Sequence, residues 1–589
     1  MEQQIFEQTG WRLDALLAST EEKEIKGVLD ELEEDVSEFE SRRELLSPDI
    51  SKEDFLDLMA LGERIRETTN RLTAYSYLWF SEDTQSQKAV SFMGQMRQLS
   101  TEVQNRTLFF SLWWKQLDEE PAQRLLDASG DYRYYLESLR RFKPYTLSEP
   151  EEKIINLKDV NGANALVNIY EMITNRFTFE LEAEGEVKEL TRAELSTYVR
   201  SPSPDIRAAA YQELFRVYEN EANVLGQIYS NVVRDWSSEN VDVRGFDNPI
   251  SVRNLDNDIP DPVVDTLLNV CRDNMPVFHR YFQFKAEQIG MDKLRRYDVY
   301  APISEAEKEY EFSEASQMVL DTLHQFSPTL ADKARQVFED EHIDSEIRKG
   351  KRGGAFSYSV LPGLTPWVLT NYAGKIDDVL TLAHEIGHSI HGLMAAEHSV
   401  FTFHSSLPMA ETASVFSEML MTDRLLREES DPAVQRDLLV TVLDGAYATV
   451  ARQAYFVLFE REAHQRAVKG ATTDDLCALY MENLEDQFSD SLTLSDDFRY
   501  EWTAIPHIYA TPFYCYAYSF GQLLVLALYK QYQEEGESFI PRYLKVLSYG
   551  GSASPEHIIG EAGFDMAARS FWQGGFDVLS EFMDQLEAL

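Results

Sequence analysis

Cysteine is scarce in this chain: three residues, Cys271, Cys477 and Cys515, lie far apart in 589, with no CxxC pairing. That spacing argues against a disulfide framework and against a thiolate metal site, and it fits a reducing, cytoplasmic compartment. Basic residues are also few, 55 Lys plus Arg against 101 Asp plus Glu, a formal charge of −46. Phosphate binding depends on lysine and arginine, so such a field repels nucleic acid and anionic membrane surfaces, and neither is expected as a partner. The field could draw cationic peptides, but net charge bears first on solubility. Long apolar runs are missing too. Outside the aromatic stretch near the end, the longest is Leu523 to Leu528, far short of the roughly 20 residues a membrane span needs. The first residues, MEQQIFEQTGWRLDALL, carry early acid and no continuous apolar stretch, so no signal peptide is expected.

What is present is the make-up of a globular protein, 44% hydrophobic and 26% charged, in a chain too long for one compact core. Two or more lobes are expected. Most of the first 170 residues read as helix, with apolar residues three and four apart and acid-rich outer faces such as Glu31 to Glu40. Between Asn175 and Thr191, Phe177, Phe179 and Leu181 alternate with polar residues before Gly185, which predicts a β-hairpin. Ser201-Pro-Ser-Pro204 punctuates the chain before helices resume at Asp205, placing a boundary near residue 200 between an N-terminal lobe, 1–200, and a second region, 201–589. Two short strands are expected, Ala355 to Val360 and Pro366 to Tyr372, and everything after Asp377 reads as helix. The fold class is mainly α with a small β element.

That element precedes the stretch Asp377 to Glu397, DDVLTLAHEIGHSIHGLMAAE. It opens with two aspartates suited to a helix N-terminus and repeats apolar residues at helical spacing. Within it stands His384-Glu385-Ile-Gly-His388. Histidines four apart lie one above the other on a helix, so both imidazoles can meet one zinc ion. Glu385 is turned to the side, where a base must sit to take a proton from an attacking water. A catalytic zinc wants three protein ligands. His391 shares the face of His384, but a rise of 1.5 Å per residue separates the two by about 10 Å, so it reads as a packing residue or one supporting a ligand. Better candidates lie in Pro408-Met-Ala-Glu411-Thr-Ala-Ser-Val-Phe-Ser-Glu418, whose proline opens another helix. Glu411 and Glu418, seven apart, present two carboxylates among apolar neighbours, and buried carboxylates need a charge partner. Glu411 is assigned to the metal and Glu418 behind it, orienting a ligand histidine; the reverse assignment stays open.

Together, His384-Glu-Ile-Gly-His388-Ser-Ile-His391 and Glu411 to Glu418 resemble the thimet oligopeptidase family of zinc peptidases. Tyr297-Asp-Val-Tyr-Ala-Pro302, Lys351-Arg-Gly-Gly-Ala-Phe-Ser357, Asn371-Tyr372, His507-Ile-Tyr-Ala-Thr-Pro-Phe-Tyr514-Cys-Tyr516 and Gly550-Gly-Ser-Ala-Ser-Pro555 are similar to its oligoendopeptidase F branch, in the same order, from about residue 115 onward. The resemblance implies a two-lobed helical clamshell around a deep channel, one zinc at its floor, and hydrolysis of short unfolded peptides. An aromatic stripe such as Tyr509, Tyr514, Tyr516 and Tyr518 would by itself read as core packing. The resemblance implies instead that His507 and Tyr514 face the oxyanion, with Tyr509 and Tyr516 next in line as substrate contacts. Gly353-Gly354 precedes a strand; it reads either as the edge to which a substrate backbone pairs or as a turn without contact. Gly550-Gly551-Ser552 reads as a mobile loop. Two other readings stand beside the endopeptidase: a zinc exopeptidase, and a helical binding protein with a structural zinc, which would need a fourth side-chain ligand.

Overall fold

The computed structural model describes residues 5–17, 22–183, 185–303 and 308–589; residues 1–4 of the stretch read for a leader lie outside them. The chain is mainly helical, as expected, and divides into two compact units, each assembled from three separate segments. The first comprises Met1–Pro144, Lys308–Glu428 and Gln531–Asp565; the second comprises Tyr145–Glu307, Glu429–Lys530 and Met566–Leu589. Residue 200, where composition and prolines suggest a boundary, lies inside the first segment of the second unit.

In the first unit, helices Glu22–Ser41, Lys52–Glu82 and Gln87–Gln116 pack on one another. Ser51 and Ser86 cap the second and third by accepting the N–H groups of Asp54 and Ala89, which satisfies donors that a helix start otherwise leaves orphaned. Their buried faces supply Phe55, Leu58, Phe110 and Trp114, and this core continues to Trp367 and Leu369. Those two residues belong to a three-stranded sheet whose central strand, Trp367–Leu369, is fully buried. Ile343–Asp344 pairs with it in parallel and Phe356–Tyr358 antiparallel, leaving Phe356–Tyr358 half-buried at the edge. Both strands expected between 355 and 372 form, shorter than their sequence windows. Ile343–Asp344, only two residues long, has too little alternation to be read in advance. Lys351, buried, donates to the carbonyls of Asp344 and Thr370 and pairs with the Asp344 carboxylate at 2.9 Å, which ties down the loop before the edge strand.

Helix Ile376–Met394 follows, capped by Asp378, whose carboxylate accepts the Lys375 N–H at 2.9 Å. It packs against helices Pro328–Glu339 and Ser414–Glu428. The helix expected from Pro408 is broken: residues Leu407–Thr412 form a 3-10 turn, and the α-helix starts only at Ser414.

The second unit contains the predicted hairpin, Phe179–Ala183 against Glu186–Leu190, with Phe179 and Leu181 turned inward. It is otherwise built from long helices, chiefly Pro204–Trp236, Arg452–Val468 and Thr473–Phe488. A two-residue parallel bridge, Leu294–Arg295 with Leu492–Thr493, corrects the expectation of unbroken helix after Asp377. Several of its buried charges are paired: Arg296 and Arg452 both donate to Glu501, and Lys285 meets Asp444 at 2.8 Å. Among the described residues, no helix is long and apolar enough to cross a membrane.

Candidate metal centre

The helix Ile376–Met394 is apolar on the side that faces the unit's interior, where Val379, Leu382, Ala383, Ile386 and Ile390 are buried. His384 and His388 stand together at one edge of that face, ring centroids 4.9 Å apart. Glu411 reaches them from the 3-10 turn. Its Oε2 lies 3.4 Å from His384 Nε2 and 3.5 Å from His388 Nε2, and one donor atom of each of the three residues falls within 4.8 Å of the others. A tetrahedral ion with bonds of about 2.0–2.1 Å holds its donors about 3.3 Å apart. The two sides that meet at Glu411 are therefore close to the length such an ion needs. On the far side, His384 Nδ1 lies 3.2 Å from Glu418 Oε2, which fixes the ring so that Nε2 points at Glu411. Glu411 itself accepts the Ser414 hydroxyl at 2.7 Å.

The electrostatics follow from this crowding. Burial opposes charge on His384, but the Glu418 hydrogen bond and the charges of Glu418, Glu411 and Glu385 outweigh it and lift the imidazole to about 9. His388 is pressed down to about 4 by burial and by the neighbouring His384 charge. Glu385, 6% exposed, is pushed up to about 7, mainly by burial and further by Glu411. One of its carboxylate oxygens has no hydrogen-bond partner among the described residues. A carboxyl near neutrality, buried beside His384, His388 and Glu411, can take up and release a proton close to pH 7.

Close backbone approaches hold the set together. A Cβ on Gly387 would meet Ala413 O and Ser414 Cα at 2.5 Å, so the segment carrying Glu411 lies directly against the helix backbone. The Tyr543 hydroxyl donates to the Thr412 carbonyl at 2.9 Å. His391, 8% exposed, packs with His388 against the Ala410 carbonyl; it supports the Glu411 segment and stands outside the triangle. Ser389 and Ser357 share a hydrogen bond of 2.9 Å that ties the edge strand to the helix. Beside His388 opens a cavity of about 320 Å³, lined by Tyr358, His391, Phe403, His404 and Ala410 among others. His404 had no motif to announce it. Gly353 and Gly354 border open space, a Cβ on either meeting nothing within 4 Å, and Gly354 stands at φ +80°. Gly550-Gly551 departs from the expected loose loop. Gly551 N–H donates to Thr402 O at 2.9 Å, and a Cβ there would meet His404 O at 2.0 Å.

The aromatic candidates belong to the second unit. His507 lies on the short helix Pro506–Ala510, its ring parallel to that of Tyr514 at 6.0 Å, with Tyr518 perpendicular to both. All three are partly exposed. Tyr509 and Tyr516 are core residues instead, each 0% exposed. Tyr509 stacks on Tyr170 at 3.9 Å, and the Tyr516 hydroxyl accepts from Asn257 at 2.8 Å.

Residues 197–578 match the model of Peptidase family M3. The chain belongs to peptidase family M3. Residues 113–179 also match the model named Oligopeptidase F. Family M3 membership makes the protein a hydrolase and a metalloendopeptidase. Two relatives align over nearly the whole chain: Group B oligopeptidase PepB of Streptococcus agalactiae, 27% identical over 92% of this chain and 90% of its own, and Oligopeptidase PepF of Bacillus subtilis, 25% identical over 94% and 84%. The crystal structure of oligoendopeptidase-F from Enterococcus faecium shares the fold, with a TM-score of 0.72 at 23% identity, covering 95% of this chain and 98% of that one.

Proposed function

We propose that this M3 peptidase is a zinc-dependent oligoendopeptidase that hydrolyses internal bonds of short, unfolded peptides. His384, His388 and Glu411 hold the ion. The observation that carries the reading is the triangle of two imidazole nitrogens and one carboxylate oxygen, spaced at 3.4 and 3.5 Å, beside the unpartnered, buried Glu385. Two nitrogens and an oxygen are a donor set suited to zinc. When bound, zinc supplies a Lewis acid that lowers the pKa of water and polarises a carbonyl.

The chain's own residues do the rest. Glu385 accepts a proton from the attacking water and returns it to the leaving amine, a cycle for which a carboxyl near 7 is matched to neutral pH. Glu418 holds His384 in the tautomer that leaves Nε2 free for the ion. His507 and Tyr514 stabilise the oxyanion by hydrogen-bond donation; their partial exposure and parallel rings support this role. Tyr509 and Tyr516 shape the aromatic segment from within its core. The edge strand after Gly353-Gly354 takes the substrate backbone by strand addition, supported by the open space at both glycines. A division of the chain near residue 200 into an N-terminal part and a catalytic part is supported by the gap between the two matched segments. Relatives named oligopeptidases support the substrate class.

The test is a digest of peptides blocked at both ends, read by mass spectrometry, with chelator and with zinc restored. Internal cleavage that disappears with chelator and returns with zinc is expected, while folded proteins survive. Cleavage indifferent to chelator, or removal of single terminal residues from unblocked peptides alone, would overturn the reading.

A further inference from the structure

The loop between helices Pro506–Ala510 and Tyr516–Glu535 carries Tyr514, and its backbone is not one its sequence would choose. Phe513 stands at φ +59°, the left-handed region that a residue with a Cβ avoids and glycine enters freely. Its hold comes from outside the loop. Glu460, on helix Arg452–Val468, accepts the Phe513 N–H at 2.9 Å in a wholly buried bond. His464, one turn further along, lays its ring 4.5 Å from that of Phe513. Arg253 Nε donates to the neighbouring Pro512 carbonyl at 3.3 Å. Within the segment, Thr511 N–H donates to His507 O at 2.9 Å and Tyr514 N–H to Thr511 O at 3.1 Å. The orientation of Tyr514 toward His507 is thus coupled to the conformation of Phe513.

Glu460 is an odd residue to find here. It is 0% exposed, has no salt-bridge partner among the described residues, and one of its oxygens is unpartnered. Burying a carboxyl costs stability, and a leucine or methionine would fill the same space without that cost. What the carboxyl supplies is an acceptor for a single backbone N–H whose residue is in a disfavoured conformation.

We propose that Glu460, assisted by Arg253, is a positioning residue of the peptidase reaction: it locks the Thr511–Cys515 loop so that Tyr514 stands beside His507. The proposal rests on the reading of His507 and Tyr514 as oxyanion donors.

The test uses the full-length, zinc-loaded protein and a blocked fluorogenic peptide. Glu460→Leu should lower kcat by about 10 to 100-fold, the scale on which small misplacements of reacting groups act, with KM and zinc content little changed. Glu460→Gln keeps an acceptor oxygen and should retain kcat within about threefold. Tyr514→Phe should lower kcat as well, and the double variant Glu460→Leu/Tyr514→Phe should be no worse than Tyr514→Phe alone, because residues acting through one group are not additive. Amide exchange in 511–518 should be faster in Glu460→Leu than in Glu460→Gln. Full activity of Glu460→Leu beside a crippled Tyr514→Phe overturns the proposal alone. A fully active Tyr514→Phe overturns the oxyanion reading and the proposal with it. Losses that multiply in the double variant mean that Glu460 acts elsewhere, and also overturn it. Should Glu460→Leu fail to fold, Arg253→Met, at a half-buried position, replaces it in the same cycle with the same expected pattern.

Discussion

Replacing Gly387 by alanine adds one methyl group at the point where the metal helix meets the segment carrying Glu411. That methyl would lie 2.5 Å from Ser414 Cα, 2.5 Å from Ala413 O and 2.8 Å from Ala413 C. Carbon atoms in ordinary contact stand about 3.5 Å apart or more, so the two backbones must separate by about 1 Å. The obstructing atoms are backbone, and no side chain can swing aside. Overpacking of this kind costs about 1–3 kcal/mol, less than a large protein needs to unfold. The consequence for the metal is heavier. The donors now stand 3.4 and 3.5 Å apart, and metal sites tolerate about 0.2 Å in each bond. A shift of about 1 Å carries Glu411 out of reach while leaving the two histidines in place. We expect Gly387→Ala to remain folded and to lose zinc affinity by about 100-fold or more, with hydrolysis falling in parallel at limiting zinc. The assay is a competitive titration against a zinc chelator, with a thermal melt of the metal-free protein as the folding control. Gly445→Ala is the matched control, since it also adds a methyl within a helix but meets nothing within 4 Å, and it should be neutral or mildly stabilising. Wild-type affinity in Gly387→Ala would mean that the close approach does not set the position of Glu411.

Other outcomes follow from the same geometry. Glu385→Gln should keep zinc and lose nearly all turnover, measured as kcat at saturating zinc, because the ligand set is intact and the base is gone; full activity would refute its role. Glu411→Ala should lose more zinc on dialysis than Glu418→Ala, whose cost is about 10 to 100-fold; the opposite order would exchange their assignments. The metal-free protein should lose stability as pH rises from about 7 to 9. His384, lifted to about 9, contributes fully below its ordinary value of 6.5 and stops contributing as pH passes 9. Glu385, lifted to about 7, adds a penalty as it ionises above its ordinary value near 4.5. His388, pressed down to about 4, acts in the opposite sense below its ordinary value of 6.5, so the decline is expected between about pH 7 and 9, where His384 loses its proton. Thermal midpoints of the metal-free protein should fall across that window and zinc should flatten the fall, whereas a rise within it would contradict the charge arrangement described.

Much of the candidate metal centre, the His384, His388 and Glu411 group, was legible because the spacing of its donors is local. Two histidines four apart and an intervening glutamate define one helix face without any knowledge of the fold, and a carboxylate amid apolar residues points to a partner. Local alternation likewise marked the hairpin at Phe179 and Leu181. What depends on distant segments was not legible. The two units are each stitched from three stretches of chain, and no composition shift records which stretches pack together. The helix expected from Pro408 breaks at Ala413, where close contact with Gly387 leaves room for a turn but no continuous helix. That glycine was a readable signal. A glycine inside a helix costs about 1 kcal/mol relative to alanine, and its presence in His384-Glu-Ile-Gly-His388 is explained by the backbone pressed against it. The aromatic segment misled for a different reason. Tyr509, Tyr514, Tyr516 and Tyr518 look alike in sequence, and only the tertiary packing, such as Tyr170 against Tyr509 and Asn257 on Tyr516, separates the core residues from the partly exposed ones.

The ligand geometry is therefore a property of the packing around the motif more than of the motif itself. The histidines are fixed by one helix, but Glu411 belongs to a 3-10 turn that no hydrogen bond of that helix constrains. Its place is set from three sides: by Gly387 against Ala413 and Ser414, by the Tyr543 hydroxyl on the Thr412 carbonyl, and by His388 and His391 against the Ala410 carbonyl. The neighbouring segment Thr402 to His404 is itself braced by Gly551. Each brace uses a glycine, a hydroxyl or an imidazole whose replacement by a helix-favouring residue would suit local propensity better. Such local conflicts are expected where structure serves a site. They also explain why a match to the five-residue motif alone is weak evidence for a metal centre, whereas the motif together with the braces that bring a third donor to about 3.4 Å is strong.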